Sequence, residues 1–212
     1  MIIAIDGTTA SGKGTIAKRL SAHYGLPHMD TGRLYRATGI AAMRAGVSLD
    51  DADGVAAVAR SLDLTDFDEA DLRTAEAGKG ASGEAAVPEG RQALFELQRA
   101  FATQPLGALL DGRDIGTIIA PEADAKLWVD ASVEVRAARR WRELCGQGSD
   151  IALETVIEQL RVRDQRDQSR KDAPAEMAAD AVLIDTTDLT IEAAVEKAIA
   201  AVEAAMARGN RA

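Results

Sequence analysis

A glycine-rich segment near the N-terminus has the residue types and the spacing needed to hold a chain of phosphates. Residues 7–13 read Gly-Thr-Thr-Ala-Ser-Gly-Lys and match the pattern G-x-x-x-x-G-K. An apolar run, residues 1–5, precedes the segment, and residues 13–24 follow it with helical periodicity. In this strand–loop–helix setting, backbone N–H groups and the helix N-terminus form a concave anion site. The predicted phosphate-binding residues are Gly7, Ser11, Gly12, Lys13, Gly14 and Thr15.

Aspartates end the segments that the hydrophobic pattern predicts to be strands. Asp111 ends one apolar run, and Asp30, Asp130 and Asp185 end three others. A carboxylate at the end of a strand, close to a phosphate loop, can hold a hydrated Mg²⁺, which prefers oxygen ligands. We therefore predict that Asp111 binds a metal through water. The alternative for Asp111 is a strand-end cap.

Eight of the 19 arginines fall between residues 136 and 170, although the chain as a whole is acidic. Arg163, Arg166 and Arg170 are separated by three and four residues, which predicts that they share one helix face. A run like this is usually a solvated face. Because Asp164 and Asp167 are interleaved with it and a polyphosphate could balance the remaining charge, we instead predict a mobile lid. Its three arginines would act in catalysis together with Lys13.

Short apolar runs alternate with helical stretches along most of the chain. The predicted strands are residues 1–5, 27–30, 107–111, 126–130 and 181–185. We expect a helical stretch after each of them. This alternation favours a parallel sheet with helices on both faces, in which ligands bind at the carboxyl ends of the strands. The predicted fold class is therefore α/β: three layers, with a five-stranded parallel sheet between helices.

One region does not fit the alternation, and we interpret it as an insertion. It comprises residues 50–103, with predicted helices at 51–62 and 88–102, and we expect it to bind and close over a substrate. Residues 146–171 would form the arginine-rich lid. The rest of the predicted single domain is a core made of residues 1–49, 104–145 and 172–212.

The composition limits the classes of function. The formal net charge is −9, which argues against wrapping nucleic acid by general electrostatics. No apolar run approaches the length of a membrane span, and the N-terminus reads as mature structure without a leader. The single cysteine, Cys145, cannot form an internal disulfide, which fits a reducing cytoplasm. We expect a cytoplasmic monomer that binds neither nucleic acid nor membrane.

Four further segments stand out along the chain. They are Asp-Thr-Gly-Arg-Leu-Tyr-Arg at 30–36, Gln-Arg-Ala-Phe at 98–101, Asp-Gly-Arg-Asp-Ile-Gly-Thr at 111–117 and Arg-Asp-Gln-Arg-Asp at 163–167. In sequence, order and spacing these segments resemble those of bacterial cytidylate kinases, and the resemblance covers essentially the whole chain. Gly-Lys-Gly-Thr at 12–15 is the loop form of nucleoside monophosphate kinases. There are two departures from the family. Thr8-Thr9-Ala10 stands where the family commonly has Pro and an additional Gly, and the insertion between residues 62 and 82 is shorter than in its longer members.

The resemblance implies a site for CMP or dCMP. The residues that it assigns to this acceptor are Thr31, Arg36, Ser82, Arg91, Arg113, Asp114, Arg163 and Asp167. Thr31, Arg36 and Arg113 would hold the α-phosphate, because a guanidinium can bind phosphate through two parallel hydrogen bonds. Ser82, Arg91 and Asp114 would choose the base, since cytosine offers a donor at N4 and acceptors at N3 and O2. The alternatives are a solvated helix face for Arg36, a turn carboxylate for Asp114 and a helix N-cap for Thr31-Gly32.

The resemblance further implies ATP as the phosphoryl donor, with Mg²⁺, and CDP or dCDP as the product. The Thr15 hydroxyl would bind phosphate or the hydrated metal. No general base is required, because a phosphate monoester has a second pKa of about 6 and is ionised at neutral pH. Charge neutralisation and in-line positioning then account for the chemistry.

Two other classes of function remain open from the residues. The first is another small-molecule kinase with the same loop, acting on AMP, UMP or shikimate; the acceptor pocket would distinguish it. The second is a nucleotide-binding regulator that has lost turnover, which would keep Lys13 but lose the lid or acceptor arginines. The plainest alternative for the loop itself is a polar turn with a surface lysine.

Overall fold

A computed structural model describes residues 1–48, 50–72 and 88–209. The strands are β1 (Ile2–Gly7), β2 (His28–Asp30), β3 (Ala108–Gly112), β4 (Ala125–Asp130) and β5 (Val182–Asp185). The helices are α1 (Lys13–Tyr24), α2 (Thr31–Arg44), α3 (Ala52–Arg60), α4 (Glu69–Leu72), α5 (Pro88–Ala102), α6 (Val133–Gly146), α7 (Leu153–Gln168) and α8 (Ile191–Gly209). A short 3₁₀ turn covers Leu64–Asp66, between α3 and α4.

The strands form one five-stranded sheet in the order β2-β3-β1-β4-β5. β1 lies at its centre and pairs in parallel with both β3 and β4, and β4 pairs in parallel with β5. The register places Asp6 opposite Gly112 of β3 and Gly7 opposite Val129 of β4. The predicted α/β fold with a parallel sheet is therefore confirmed, and the glycine-rich loop leaves the sheet between the carboxyl ends of two neighbouring strands.

Two compact units make up the described chain. The sheet unit comprises residues 1–29 and 105–209, and the helical unit is described at residues 30–48, 50–72 and 88–104. The predicted division into core, insertion and lid remains a prediction. No helix within the described ranges is both long enough and apolar enough to cross a membrane.

The core of the sheet unit lies between the sheet and the helices α1 and α8. Ile3 and Ile5 of β1 and Leu20 of α1 are fully buried, and Ala198 and Val202 of α8 pack into the same cluster. Burying one large aliphatic side chain contributes about 1.5–3 kcal/mol. The buried side chains of β1 thus hold firmly the strand that leads into the phosphate loop.

The helical unit has a smaller core of its own. Ala37 and Ile40 of α2 pack against Phe67 and against Leu72 of α4. α3 and α5 also pack against each other. The helices expected at 51–62 and 88–102 are present as α3 and α5.

The helix expected after the strand at 107–111 is absent. The chain instead makes a single π-helical turn, Ile115–Ile119, before it reaches β4. This turn is held by Ile118 and Ile119, whose N–H groups both donate to the carbonyl of Asp114. A short run of apolar residues cannot distinguish such a turn from the start of a longer helix.

Candidate active site

The glycine-rich loop enters α1 through two glycines in special settings. A Cβ atom on Gly7 would lie 1.9 Å from the carbonyl oxygen of Val129, so only glycine fits between β1 and β4. Gly12 is the N-cap of α1 and has φ of 93°, in the left-handed region that glycine tolerates best. Ser11 Oγ and Lys13 Nζ both donate to the carbonyl of Thr8, at 2.9 and 3.2 Å. The loop therefore curls into a closed turn at the positive end of α1, as an anion site requires.

Side chains from distant parts of the chain hold this loop from outside. Arg136 Nη1 donates to the carbonyl of Thr9 at 3.2 Å, and Thr186 Oγ1 donates to the carbonyl of Ser11 at 2.9 Å. Arg139 bonds both the hydroxyl and the carbonyl of Thr186, at 3.0 and 2.8 Å. No sequence motif predicts this support, because the contacts join residues between 47 and 175 positions apart.

A carboxylate surrounded by arginines lies next to the loop. Arg113 Nε donates to Asp167 Oδ2 at 3.0 Å, and Arg170 Nη2 donates to Asp167 Oδ1 at 2.6 Å. Burial alone would raise the pKa of Asp167, but Arg113, Arg170 and Arg163 outweigh that effect and lower this pKa below its usual range. Asp167 is therefore ionised at neutral pH and holds Arg113 and Arg170 at one place.

The lid arginines do not share one helix face. α7 ends at Gln168, so Arg170 lies beyond the helix and turns back to Asp167. Arg163 is half-buried within α7, whereas Arg166 is exposed. The prediction of a single arginine face is wrong, because it assumes that the helix continues to residue 170. Arg163 and Arg170 nevertheless both lower the pKa of Asp167 through their positive charges.

Asp111, the predicted metal-binding carboxylate, is buried and paired with a histidine. Its Oδ1 lies 2.7 Å from His28 Nε2. A Cβ atom placed on Gly14 would lie 4.0 Å from the other oxygen, Oδ2, so the carboxylate is close to the first turn of α1. His28 belongs to none of the motifs in the sequence. Its position one strand away from Asp111 follows from the pairing of β2 with β3, which no local pattern reveals.

A second buried carboxylate, Asp6, holds the segment that follows Arg113. Asp6 Oδ1 accepts from the N–H of Ile115 at 2.9 Å, and Oδ2 accepts from the N–H of Gly116 at 2.7 Å. The side chain is nearly inaccessible, at 4% exposure. Burial raises the pKa of Asp6 to about 7, with a further contribution from the nearby charge of Asp114. Asp114 itself is buried.

The helical unit carries three of the predicted acceptor residues. Asp30, rather than Thr31-Gly32, is the N-cap of α2: its side chain accepts from the N–H of Arg33 at 3.0 Å and from Arg36 Nη2 at 3.2 Å. Thr31 is buried in the first turn, and Arg91 is half-buried on α5. The fourth residue predicted for this region, Ser82, lies outside the described residues.

The sheet unit carries the other predicted residues and brings some of them together. The glycine-rich loop, Arg113 and Asp167 lie in one place, and a small cavity beside β1 is lined by Thr8, Trp128 and Asp164 together with Arg113 and Asp167. A loop shaped for phosphates thus lies beside clustered arginines that can bind a second anion. This is the arrangement that transfer between two phosphate-bearing molecules requires.

Comparison with known proteins decides the family. The cytidylate kinase family model matches residues 3–204. The chain belongs to the cytidylate kinase family. A cytidylate kinase of Methylocella silvestris is 56% identical, and the match covers 97% of this chain and 95% of that protein. A cytidylate kinase of Xanthobacter autotrophicus is 57% identical, with a match that covers 96% of this chain and 98% of that protein.

The solved structures agree with the fold. The crystal structure of TT1252 from Thermus thermophilus superposes with a TM-score of 0.50 at 25% identity, and covers 96% of each chain. The cytidylate kinase family predicted from the four motifs is confirmed, as is the class of enzyme, a phosphotransferase. The match of the cytidylate kinase model extends through β5 and most of α8, so it includes the distant side chains that hold the loop.

Proposed function

We propose that this protein transfers the γ-phosphoryl group of ATP to CMP or dCMP, giving CDP or dCDP. The observation that carries the proposal is the family match across residues 3–204, with cytidylate kinases 56% and 57% identical to the chain. A cytoplasmic monomer that needs no nucleic acid or membrane fits this role.

The donor phosphates would bind in the glycine-rich loop. Lys13 begins α1 and supplies a cation to the phosphates nearest the transferring group. The other proposed contacts are made by Gly7, Ser11, Gly12, Gly14 and Thr15. The closed turn of the loop, with Gly12 in a left-handed conformation at the start of α1, supports this placement.

The acceptor phosphate would bind to Arg113, Arg36 and Thr31. Arg113 has five N–H groups, and three protein contacts engage Nε, Nη1 and Nη2, at Asp167, Gly112 and Thr9 respectively. Among the contacts of the described residues, two N–H groups then remain to bind a phosphate. On the helical unit, the guanidinium of Arg36 lies close to Gly32, where a Cβ atom would come within 3.0 Å of Arg36 Nη1. The glycine leaves room for this guanidinium, which supports the proposed role of Arg36.

The base would be read by Asp114, Arg91 and Ser82. A carboxylate accepts a hydrogen bond from the N4 amino group of cytosine, and a guanidinium donates to N3 and O2. Uracil presents a carbonyl at position 4 and an N–H at position 3. The carboxylate would then face an acceptor, and the guanidinium would face a donor. Leaving buried polar groups unpaired in this way can lower turnover of the wrong base by several orders of magnitude.

The residues near the loop fit a hydrated Mg²⁺. Among the described residues no cluster of three or more His, Cys, Asp or Glu side chains could hold a metal alone. Mg²⁺ with a nucleotide does not need one, because it takes one or two protein oxygens and completes its shell with phosphates and water. Asp111, which is buried and close to the first turn of α1, and the exposed Thr15 would be those oxygens. When bound, the metal supplies positive charge to the transferring phosphate.

The remaining catalytic charge would come from Arg163, Arg170 and Arg166. The first two already act on Asp167, so they lie close to Arg113 and its proposed phosphate. Asp167 would also reach the sugar of the acceptor. Arg166 is exposed on α7 and would have to approach the nucleotides as the lid closes over them.

The test is a coupled assay of ADP formation with MgATP and each of CMP, dCMP, UMP and AMP in turn. We expect kcat/KM to be highest for CMP or dCMP. Faster turnover of UMP or AMP would reject the acceptor assignment while leaving the kinase class intact. Binding of ATP without turnover of any monophosphate would indicate a regulator instead.

A further inference from the structure

We propose that Thr9 is a positioning residue that fixes Arg113 against the phosphate loop. This inference rests on the proposed binding of the acceptor phosphate by Arg113. Thr9 belongs to the segment Thr8-Thr9-Ala10 in which the loop departs from the common pattern of its family. Its hydroxyl accepts from Arg113 Nη2 at 2.6 Å, across 104 positions in sequence. A residue of the donor loop thereby contacts the side chain that would hold the acceptor.

Thr9 is itself firmly placed, so it can act as an anchor. Its carbonyl accepts from Arg136 Nη1 at 3.2 Å, and Arg136 is only 5% exposed. The other ends of that guanidinium are bound too, by the carbonyl of Ala131 at 2.8 Å and by Asp164 at 2.7 Å. Because threonine is branched at Cβ, its hydroxyl has few available orientations.

Without the Thr9 hydroxyl, Arg113 would lose one of the three hydrogen bonds that fix the orientation of its guanidinium. Asp167 would still hold Nε through Oδ2, and its Oδ1 is already occupied by Arg170. Nη2 would then have to turn to find another acceptor, and the two N–H groups proposed for the phosphate would turn with it. The acceptor phosphate would be bound more weakly and out of line with the donor. The phosphates of ATP, which are held by backbone N–H groups and Lys13, would be affected much less.

The experiment compares Thr9→Val, Thr9→Ser and Thr117→Val in the full chain. Valine has the shape of threonine without the hydroxyl, and serine restores the hydroxyl. Thr117→Val is the matched control, because among the described residues the buried Thr117 Oγ1 has no hydrogen-bond partner. The acceptor is whichever monophosphate the wild type phosphorylates fastest, so a different base preference would refute the proposed substrate without affecting this test.

For Thr9→Val we expect the KM of the acceptor to rise about tenfold, in keeping with the loss of one hydrogen bond to a charged group. The KM of ATP should stay within about twofold, and Thr9→Ser should restore the acceptor KM to near the wild-type value. Thr117→Val should leave both constants unchanged. An equal rise in the KM of ATP and of the acceptor would overturn the proposal, because it would indicate a general distortion of the loop.

A double substitution checks that Thr9 acts through Arg113. In an Arg113→Ala background, Thr9→Val should raise the acceptor KM no further, since the group that it positions is gone. An undiminished effect in that background would mean that Thr9 acts by another route, and the proposal would be wrong. Thermal melts of each variant show whether it folds; if Thr9→Val does not, an unchanged acceptor KM in Thr9→Ala would be the overturning result.

Discussion

The buried carboxylate Asp6 should make the stability of the protein depend on pH in a way that one substitution removes. Its pKa is raised by burial from 3.8 to about 7 in the folded protein. A raised pKa means that the folded state holds the proton more tightly than the unfolded state does. The resulting stabilisation is complete below pH 3.8 and is lost as the pH rises through 7.

The size of the effect follows from the two pKa values. Between pH 5 and pH 8, ionisation of Asp6 alone should lower the free energy of unfolding by about 2–3 kcal/mol. Asp6→Asn keeps the shape and one acceptor oxygen but cannot ionise. Its amide would meet the N–H of Ile115 or Gly116 with a donor, which costs about 1–3 kcal/mol at every pH. The free energy of unfolding of the variant should therefore change less with pH than that of the wild type, whatever its value at pH 5.

The assay is urea denaturation of the wild type and of Asp6→Asn at several values between pH 5 and pH 8, followed by fluorescence of Trp128 and Trp141. Other titrating groups are common to both proteins, so the difference between the two curves isolates Asp6. Asp167 and Asp180, whose pKa values are lowered, titrate below this range. Asp124→Asn is the matched control, because Asp124 also accepts a backbone N–H, that of Ile2, but at an exposed site. Identical pH slopes for the wild type and Asp6→Asn would refute the reasoning.

Two further predictions concern the proposed chemistry. Lys13→Ala should lower kcat by about 100-fold or more, since it removes a cation from the transferring phosphate; Lys18→Ala, an exposed position on the same helix, should change it little, and near-normal turnover in Lys13→Ala would reject the role. Asp114→Asn should reduce the preference for CMP over UMP by about tenfold or more while leaving the KM of ATP nearly unchanged. If the ratio of kcat/KM values for the two bases survives that change, another residue reads the base.

The sequence was sufficient for those features that lie in short segments. The glycine-rich loop is recognisable because its strand and its helix adjoin it, and Gly7 and Gly12 stand where the backbone needs them. The parallel sheet follows from short apolar runs that alternate with helices, and the family follows from four segments in the correct order.

Features that depend on how distant segments meet could not be predicted. His28 pairs with Asp111 across 83 positions, and Asp6 holds Gly116 across 110. In neither pair do the residue types or their spacing in the sequence indicate that the two residues are in contact. The end of α7 was missed for a different reason: Ser169 closes the helix without glycine or proline, so the arginine spacing looked continuous.

The support of the phosphate loop by distant side chains has a consequence for the order in which the protein can mature. The motif at residues 7–13 leaves the ribosome early, but β1 pairs with β3 and β4, and the loop is held by Arg136 and Thr186. At synthesis rates of about 5–20 residues per second, Thr186 is made on the order of ten seconds after the motif. During that interval the nascent chain carries the nucleotide-binding sequence without the surroundings that shape it. We therefore expect nucleotide to stabilise the finished domain and not the first half of the chain alone.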